Sequence, residues 1–197
     1  MSGGEGRAIS AAPPLTRRPL WHLFVPLLAG LLTAETLGIL ARESAIDPNA
    51  YPGGYFRLFF SDPIHLKSWF ATAAVLLACT QFFTAAWIFR KLYWPRPRWI
   101  NVVHRWSGRL AFAATIPVAY HCVFKLGFQT YDARVAVHAF FGTAVYGAFA
   151  TKVLIVRLHR FPVWALPLAG GVLFAALVGA WWTSAFWFLR QEGVPTF

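Results

Sequence analysis

Six histidines are the residues of this sequence whose types and spacing are best suited to chemistry. They lie near the ends of long apolar runs, at positions 22, 65, 104, 121, 138 and 159. The alternation of the runs predicts two layers at opposite membrane depths. One layer holds His22, His104 and His159, and the other holds His65, His121 and His138.

Two histidine layers at different depths are the minimum requirement for two haem groups in series. A b-type haem in a membrane bundle is held by two neutral imidazoles from different helices. His104 and His121 are 17 residues apart, which is about 25 Å of helix rise. His138 and His159 are 21 residues apart on the next, antiparallel helix. The two helices therefore present histidines at matching depths.

The ligand pairing stays open on spacing alone. Seventeen residues leave His104 and His121 roughly 100° apart around their helix, so they cannot both face one neighbour. The natural pair of the outer layer is His65 with His138, and His121 competes with them. In the inner layer His104 is central, and its partner is His22 or His159.

A structural role for the histidines is the alternative. An imidazole is amphipathic enough to lie at a membrane interface, and His22 and His159 suit that role better than ligation. For His104, His121 and His138 we favour ligation, because intramembrane ionisable residues are rare and usually functional. No carboxylate cluster accompanies them in sequence to indicate a zinc or di-iron site.

The apolar runs that position these histidines predict an all-α membrane bundle. Hydrophobic residues make up 58% of the 197 residues and charged residues only 13%, about half of what a soluble domain carries. Each run is long enough to cross a hydrocarbon core of about 30 Å. The predicted spans are residues 21–41, 65–90, 100–125, 134–157 and 162–189.

The basic residues predict the orientation in the cell (plasma or inner) membrane. Twelve of the 18 Lys and Arg residues fall on the side of the N-terminus and six on the other, so we expect a cytoplasmic N-terminus and an external C-terminus. Residues 1–19 are predicted to be a disordered cytoplasmic tail, residues 20–190 the transmembrane domain, and residues 191–197 a short external tail.

Composition also argues against several classes of function. The net charge of +11 follows the membrane topology and forms no basic stripe, which argues against nucleic-acid binding. Cys79 and Cys122 lie in no CxxC or CxxCH pattern, so a redox dithiol and covalent haem attachment are unsupported.

No flavin or nicotinamide fingerprint occurs in the sequence. A reductase activity would need another subunit, and whether the chain is an enzyme stays open.

The segments HRWSG (104–108) and HAFFGTAVYG (138–147) resemble the His-x-x-x-Gly helix starts of transmembrane di-haem b-type cytochromes that take electrons from ascorbate. They resemble the ferric-reductase-like membrane proteins more loosely. The resemblance covers residues 60–157. The chain also resembles short uncharacterised bacterial membrane families of this length, from which no function follows.

In the cytochrome family, four core helices each carry one ligand, and the first pairs with the third and the second with the fourth. The resemblance implies that His104 and His138 are ligands, with His65 as the partner of His138 and His22 as the partner of His104. The chain departs from the family in having five spans instead of six and an additional histidine, His121.

These observations predict a membrane b-type cytochrome that moves electrons through one or two bis-histidine haem b groups. The candidate ligands are His65, His104, His121 and His138. We expect it to exchange electrons with a quinone, a small reductant or a partner redox protein. The alternative is a haem-free structural or assembly subunit of a membrane complex, whose histidines are interfacial.

Overall fold

A computed structural model describes residues 20–44, 56–158 and 161–195, and its architecture is all-helical. The predicted N-terminal tail, most of the first external loop, His159 and the last two residues lie outside the described residues. A 3-10 turn, Leu20–Leu23, precedes six α-helices: α1 Phe24–Ser44, α2 Pro63–Ile88, α3 Ile100–Tyr120, α4 Ala133–Leu158, α5 Ala165–Trp181 and α6 Trp187–Glu192.

The helices have the length and composition of membrane spans, which confirms the prediction of an all-α membrane bundle. Four segments are long and apolar enough to cross a bilayer: Phe24–Glu43, Pro63–Ile88, Ala133–Leu158 and Ala165–Glu192. The helix α3 corresponds to the remaining predicted span, residues 100–125, but is less apolar than the other four. Its first turns carry His104, Arg105 and Arg109, so it is the most polar helix that a bilayer would have to accommodate.

Local sequence signals account for several helix boundaries. Asp62 caps α2, because its carboxylate accepts the amide hydrogen of Ile64 at 2.7 Å, and Pro63 occupies the first helical position. Pro167 falls in the first turn of α5, which begins at Ala165, where a proline costs no intrahelical hydrogen bond.

The packing order of the helices is α3–α2–α5–α4–α1. A π-helical segment, His121–Leu126, continues α3 and packs against α1, which closes the arrangement at one end. We call that end, where α1 terminates, the distal end, and the opposite end the proximal end. A stacked pair, Phe112 of α3 and Phe149 of α4, joins these two helices with 4.1 Å between ring centroids.

A second π-helical segment, Trp182–Phe186, links α5 to α6 and also lies at the distal end. The π-helix is rare and occurs mostly as single-turn insertions, often at functional sites. We call the two segments together the distal π-segments. They give the distal end of the bundle an irregular backbone within two of its helices. Neither segment was predicted from the sequence.

The helices α1 and α4 approach each other closely, backbone against backbone, at Gly30 and Gly147. A methyl group at Gly147 would lie 2.6 Å from the carbonyl oxygen of Gly30 and 3.0 Å from the side chain of Ala34. The hydroxyl of Thr151 donates a hydrogen bond across the same contact to the carbonyl of Pro26 at 3.0 Å. Small residues allow such close approach in membrane helices.

We expect Gly147→Ala to destabilise the bundle by about 1–3 kcal/mol, because the added methyl must push the backbones of α1 and α4 apart. The matched control is Gly171→Ala in α5, where the added methyl meets nothing within 4 Å. Thermal unfolding of the two purified variants in the same detergent measures the difference. Equal unfolding temperatures for both variants would contradict the close α1–α4 contact.

Candidate functional site

Three of the four candidate histidines lie at the distal end. His65 is in the first turn of α2, His121 opens the π-segment after α3, and His138 is in the second turn of α4. His104 lies in the second turn of α3, at the proximal end. His22, its implied partner, lies in the proximal 3-10 turn.

Hydrogen bonds orient the rings of all four candidates. In each ring the Nδ1 atom lies within hydrogen-bond distance of an oxygen: Ser61 Oγ at 2.8 Å for His65, Thr84 Oγ1 at 2.8 Å for His104, the Pro117 carbonyl at 2.8 Å for His121, and the Ala180 carbonyl at 3.0 Å for His138. A carbonyl only accepts, so Nδ1 of His121 and of His138 must donate its proton. In the neutral ring the lone pair is then on Nε2.

His138 lies between α4 and the second π-segment. Besides the Ala180 carbonyl, the hydroxyl of Thr183 lies 3.4 Å from its Nδ1 atom. One turn further along α4 is Gly142, where an added methyl would meet nothing within 4 Å. Thus the face of α4 that carries His138 has open space beside it.

His121 is fully buried, with 0% of its surface exposed. The ring of Phe56 lies against it, with 4.5 Å between centroids. The positive charge of Lys67 on α2 acts on both His121 and His138. Lys67 is therefore the charged group that these two distal histidines share.

His65 faces a different side of α2. It precedes Lys67 by two residues, which places the two side chains about 160° apart around the helix. Its ring lies 6.1 Å from that of Phe188. A surface cleft of about 730 Å³ adjoins it, lined by Asp62, His65, Phe188, Glu192 and Pro195 among others. His65 therefore lines this surface cleft and lies on a different side of α2 from Lys67.

The proximal candidate, His104, is enclosed by polar side chains of α2. Thr84 is hydrogen-bonded to its ring, and the side-chain amide of Gln81 donates to the His104 carbonyl and, at 2.9 Å, to the hydroxyl of Ser107. A methyl at Gly108 would lie 3.1 Å from Gln81. The space beside this His-x-x-x-Gly motif is therefore filled, and Gln81 joins the two helices.

Lys152 on α4 is a proximal residue. The sequence predicted for it only a place among the twelve basic residues on the side of the N-terminus. Its positive charge acts on His104. Lys152 lies six residues before the end of α4. This position is a signal that the sequence offered, since a lysine at that depth is costly in a membrane.

Among the described residues, no group of three or more His, Cys, Asp or Glu side chains is placed to hold a metal ion.

Comparison with known proteins gives one match. A family model described as a family of unknown function (DUF6529) matches residues 23–196. No curated protein and no solved structure matches the chain. The match extends from the first turn before α1 to the end of the described chain and includes all four candidate histidines. The chain therefore belongs to the DUF6529 family.

Proposed function

We propose that this protein is a membrane b-type cytochrome whose haem is held at the distal end by His121 and His138. It would exchange electrons with a quinone, a small reductant or a partner redox protein. The observation that carries the proposal is the donation of Nδ1–H to a backbone carbonyl by both rings. Histidines that ligate metals characteristically donate their other ring nitrogen in this way, which fixes the tautomer and the ring orientation.

The distal residues fit a haem in two further respects. The open space at Gly142, one turn from His138, leaves room for a flat macrocycle on that face. The cations Lys67, Lys125 and Arg134 belong to the same end of the bundle, and haem propionates need such partners. When bound, the haem supplies one-electron chemistry, and the surrounding residues set its potential through ligation, hydrogen bonding and burial.

Phe56 constrains the proposal. It covers His121 with its ring, so ligation through His121 requires Phe56 to move aside.

The proximal end fits a second haem less well. Gln81 fills the space beside Gly108 and bonds to the His104 carbonyl. We therefore derive one haem, at the distal end, and the two-haem arrangement stays a prediction of the sequence. A single haem near one face leaves much of a hydrocarbon core of about 30 Å uncrossed. It therefore suits electron exchange at the distal surface, where a quinone could approach.

A haem-free structural or assembly subunit is the second candidate. The observation that favours it is the enclosure of His121, whose ring is buried, packed against the ring of Phe56 and hydrogen-bonded to the Pro117 carbonyl. Such a histidine ties the end of α3 to the segment before α2 without any cofactor. The two candidates differ in a single property, the presence of haem in the purified protein.

Substitution of the distal histidines tests the ligand assignment. We expect His138→Ala and His121→Ala each to abolish a low-spin b-type absorbance, because bis-histidine ligation needs both rings. His65→Ala is the matched control and should retain the signal, since His65 faces the surface cleft. Reduced-minus-oxidised spectra of the three purified variants measure this. Loss of the signal in His65→Ala with retention in His121→Ala would instead support pairing of His65 with His138.

We also propose that the protein lies in the plasma or inner membrane with the proximal end in the cytoplasm. The distribution of Lys and Arg, twelve on the proximal side and six on the distal side, supports this orientation. A topology reporter fused after Phe197 should be active outside the cytoplasm, and one inserted between Tyr93 and Trp99 should be active inside. A cytoplasmic C-terminus would contradict the proposed orientation.

A further inference from the structure

Glu35 is an acidic residue at the middle of a membrane-spanning helix. It lies 11 residues after Phe24 and nine before Ser44, the two ends of α1, or about 17 Å and 14 Å of helix rise. This depth is close to the midplane of a bilayer. An ionisable side chain there is costly unless it has a partner, and such residues almost always face the interior of a bundle.

Glu35 nevertheless faces away from the bundle. Its side chain is exposed, and it lies five residues beyond Gly30, the residue that contacts α4, which places it about 140° from that contact. Within residues 20–44, 56–158 and 161–195 the structure gives its carboxyl group no hydrogen bond or ion pair. The hydroxyl of Thr33 is engaged with the Ala29 carbonyl at 2.7 Å.

The rest of this face of α1 is apolar and open. Its exposed side chains are large hydrophobic ones, namely Phe24, Leu28, Leu31, Leu32 and Ile39. Gly38, one turn from Glu35, could carry a methyl without meeting anything within 4 Å, so a neighbouring helix could approach closely there. We call this surface the Glu35 face. Lipid could cover its apolar residues but offers no hydrogen-bonding partner to the carboxyl group at this depth.

We propose that the Glu35 face binds a second copy of this chain, with the two Glu35 carboxyl groups hydrogen-bonded to each other. All copies insert in one orientation, so a twofold axis along the membrane normal brings identical residues together at identical depth. A protonated carboxyl group both donates and accepts, which makes it complementary to itself. A different subunit would instead have to supply a matching polar side chain at this depth. The proposal does not depend on the presence of haem.

Oligomeric state in lipid bilayers tests the proposal through two substitutions of different character. Single-molecule photobleaching over a range of protein densities should show a wild-type dimer. Glu35→Gln keeps a side chain that both donates and accepts, so it should preserve the dimer. Glu35→Leu should raise the dissociation constant roughly five- to thirtyfold, as expected for the loss of one or two interhelical hydrogen bonds in a membrane.

Disulfide crosslinking gives an independent readout of the interface. In a Cys79→Ala background, Leu31→Cys on the Glu35 face should crosslink two copies. The matched control is Leu37→Cys, which lies about 160° from Glu35 around α1, in a groove that also contains Tyr146, and should not crosslink. The parent chain without either added cysteine sets the background.

Three results would overturn the proposal. The first is a wild-type protein that stays monomeric at every density, and the second is a Glu35→Leu variant that dimerises as well as the wild type. The third is a different polypeptide that co-purifies in stoichiometric amount and is lost on Glu35→Leu. That result would assign the Glu35 face to another subunit.

Discussion

In hydrocarbon, a polar side chain has no water to bond with, so it must find a partner within the protein or in another molecule. This constraint accounts for most of the specific contacts in the bundle. The backbone carbonyls of Pro117 and Ala180 accept hydrogen bonds from the rings of His121 and His138. Gln81 and Thr84 engage His104 and Ser107 in the same way. The positions of the helices are thus tied to the orientation of the imidazole rings.

The distal end combines the features from which a redox site could be built. The regular hydrogen-bond pattern of α3 and of α5 is interrupted there by the distal π-segments, and His121 belongs to one of them. His138 bonds to Ala180, just before the other. The carbonyl groups that bond to the candidate ligands, those of Pro117 and Ala180, lie in the last turns of α3 and α5, just before these segments. The proximal end has no π-helical segment among the described residues, and the space beside Gly108 is filled. The proposal of one haem instead of two rests on this difference between the ends.

Much of the fold was predictable from the sequence, because hydropathy and helix rise determine which segments span and at what depth a residue lies. The capping of α2 by Asp62 and the placement of Pro63 followed from local chemistry. The direction of each side chain around its helix did not follow, since it depends on which neighbours the helix selects. For this reason the spacing left His65 and His121 as competitors, whereas the structure places His65 beside Phe188 at a surface cleft. The two His-x-x-x-Gly motifs likewise looked equivalent in sequence. In the structure, Gln81 fills the space beside Gly108, whereas the space beside Gly142 is open.

The central claim is that the chain binds haem through bis-histidine ligation at the distal end, and its most direct test is the haem content of the purified wild-type protein. Pyridine haemochrome quantitation per polypeptide, together with the reduced-minus-oxidised absorption spectrum, measures this content. The account predicts about one haem b per chain with the spectrum of a low-spin, six-coordinate centre. A ratio near zero in protein expressed with sufficient haem would contradict it and leave the histidines with a structural role.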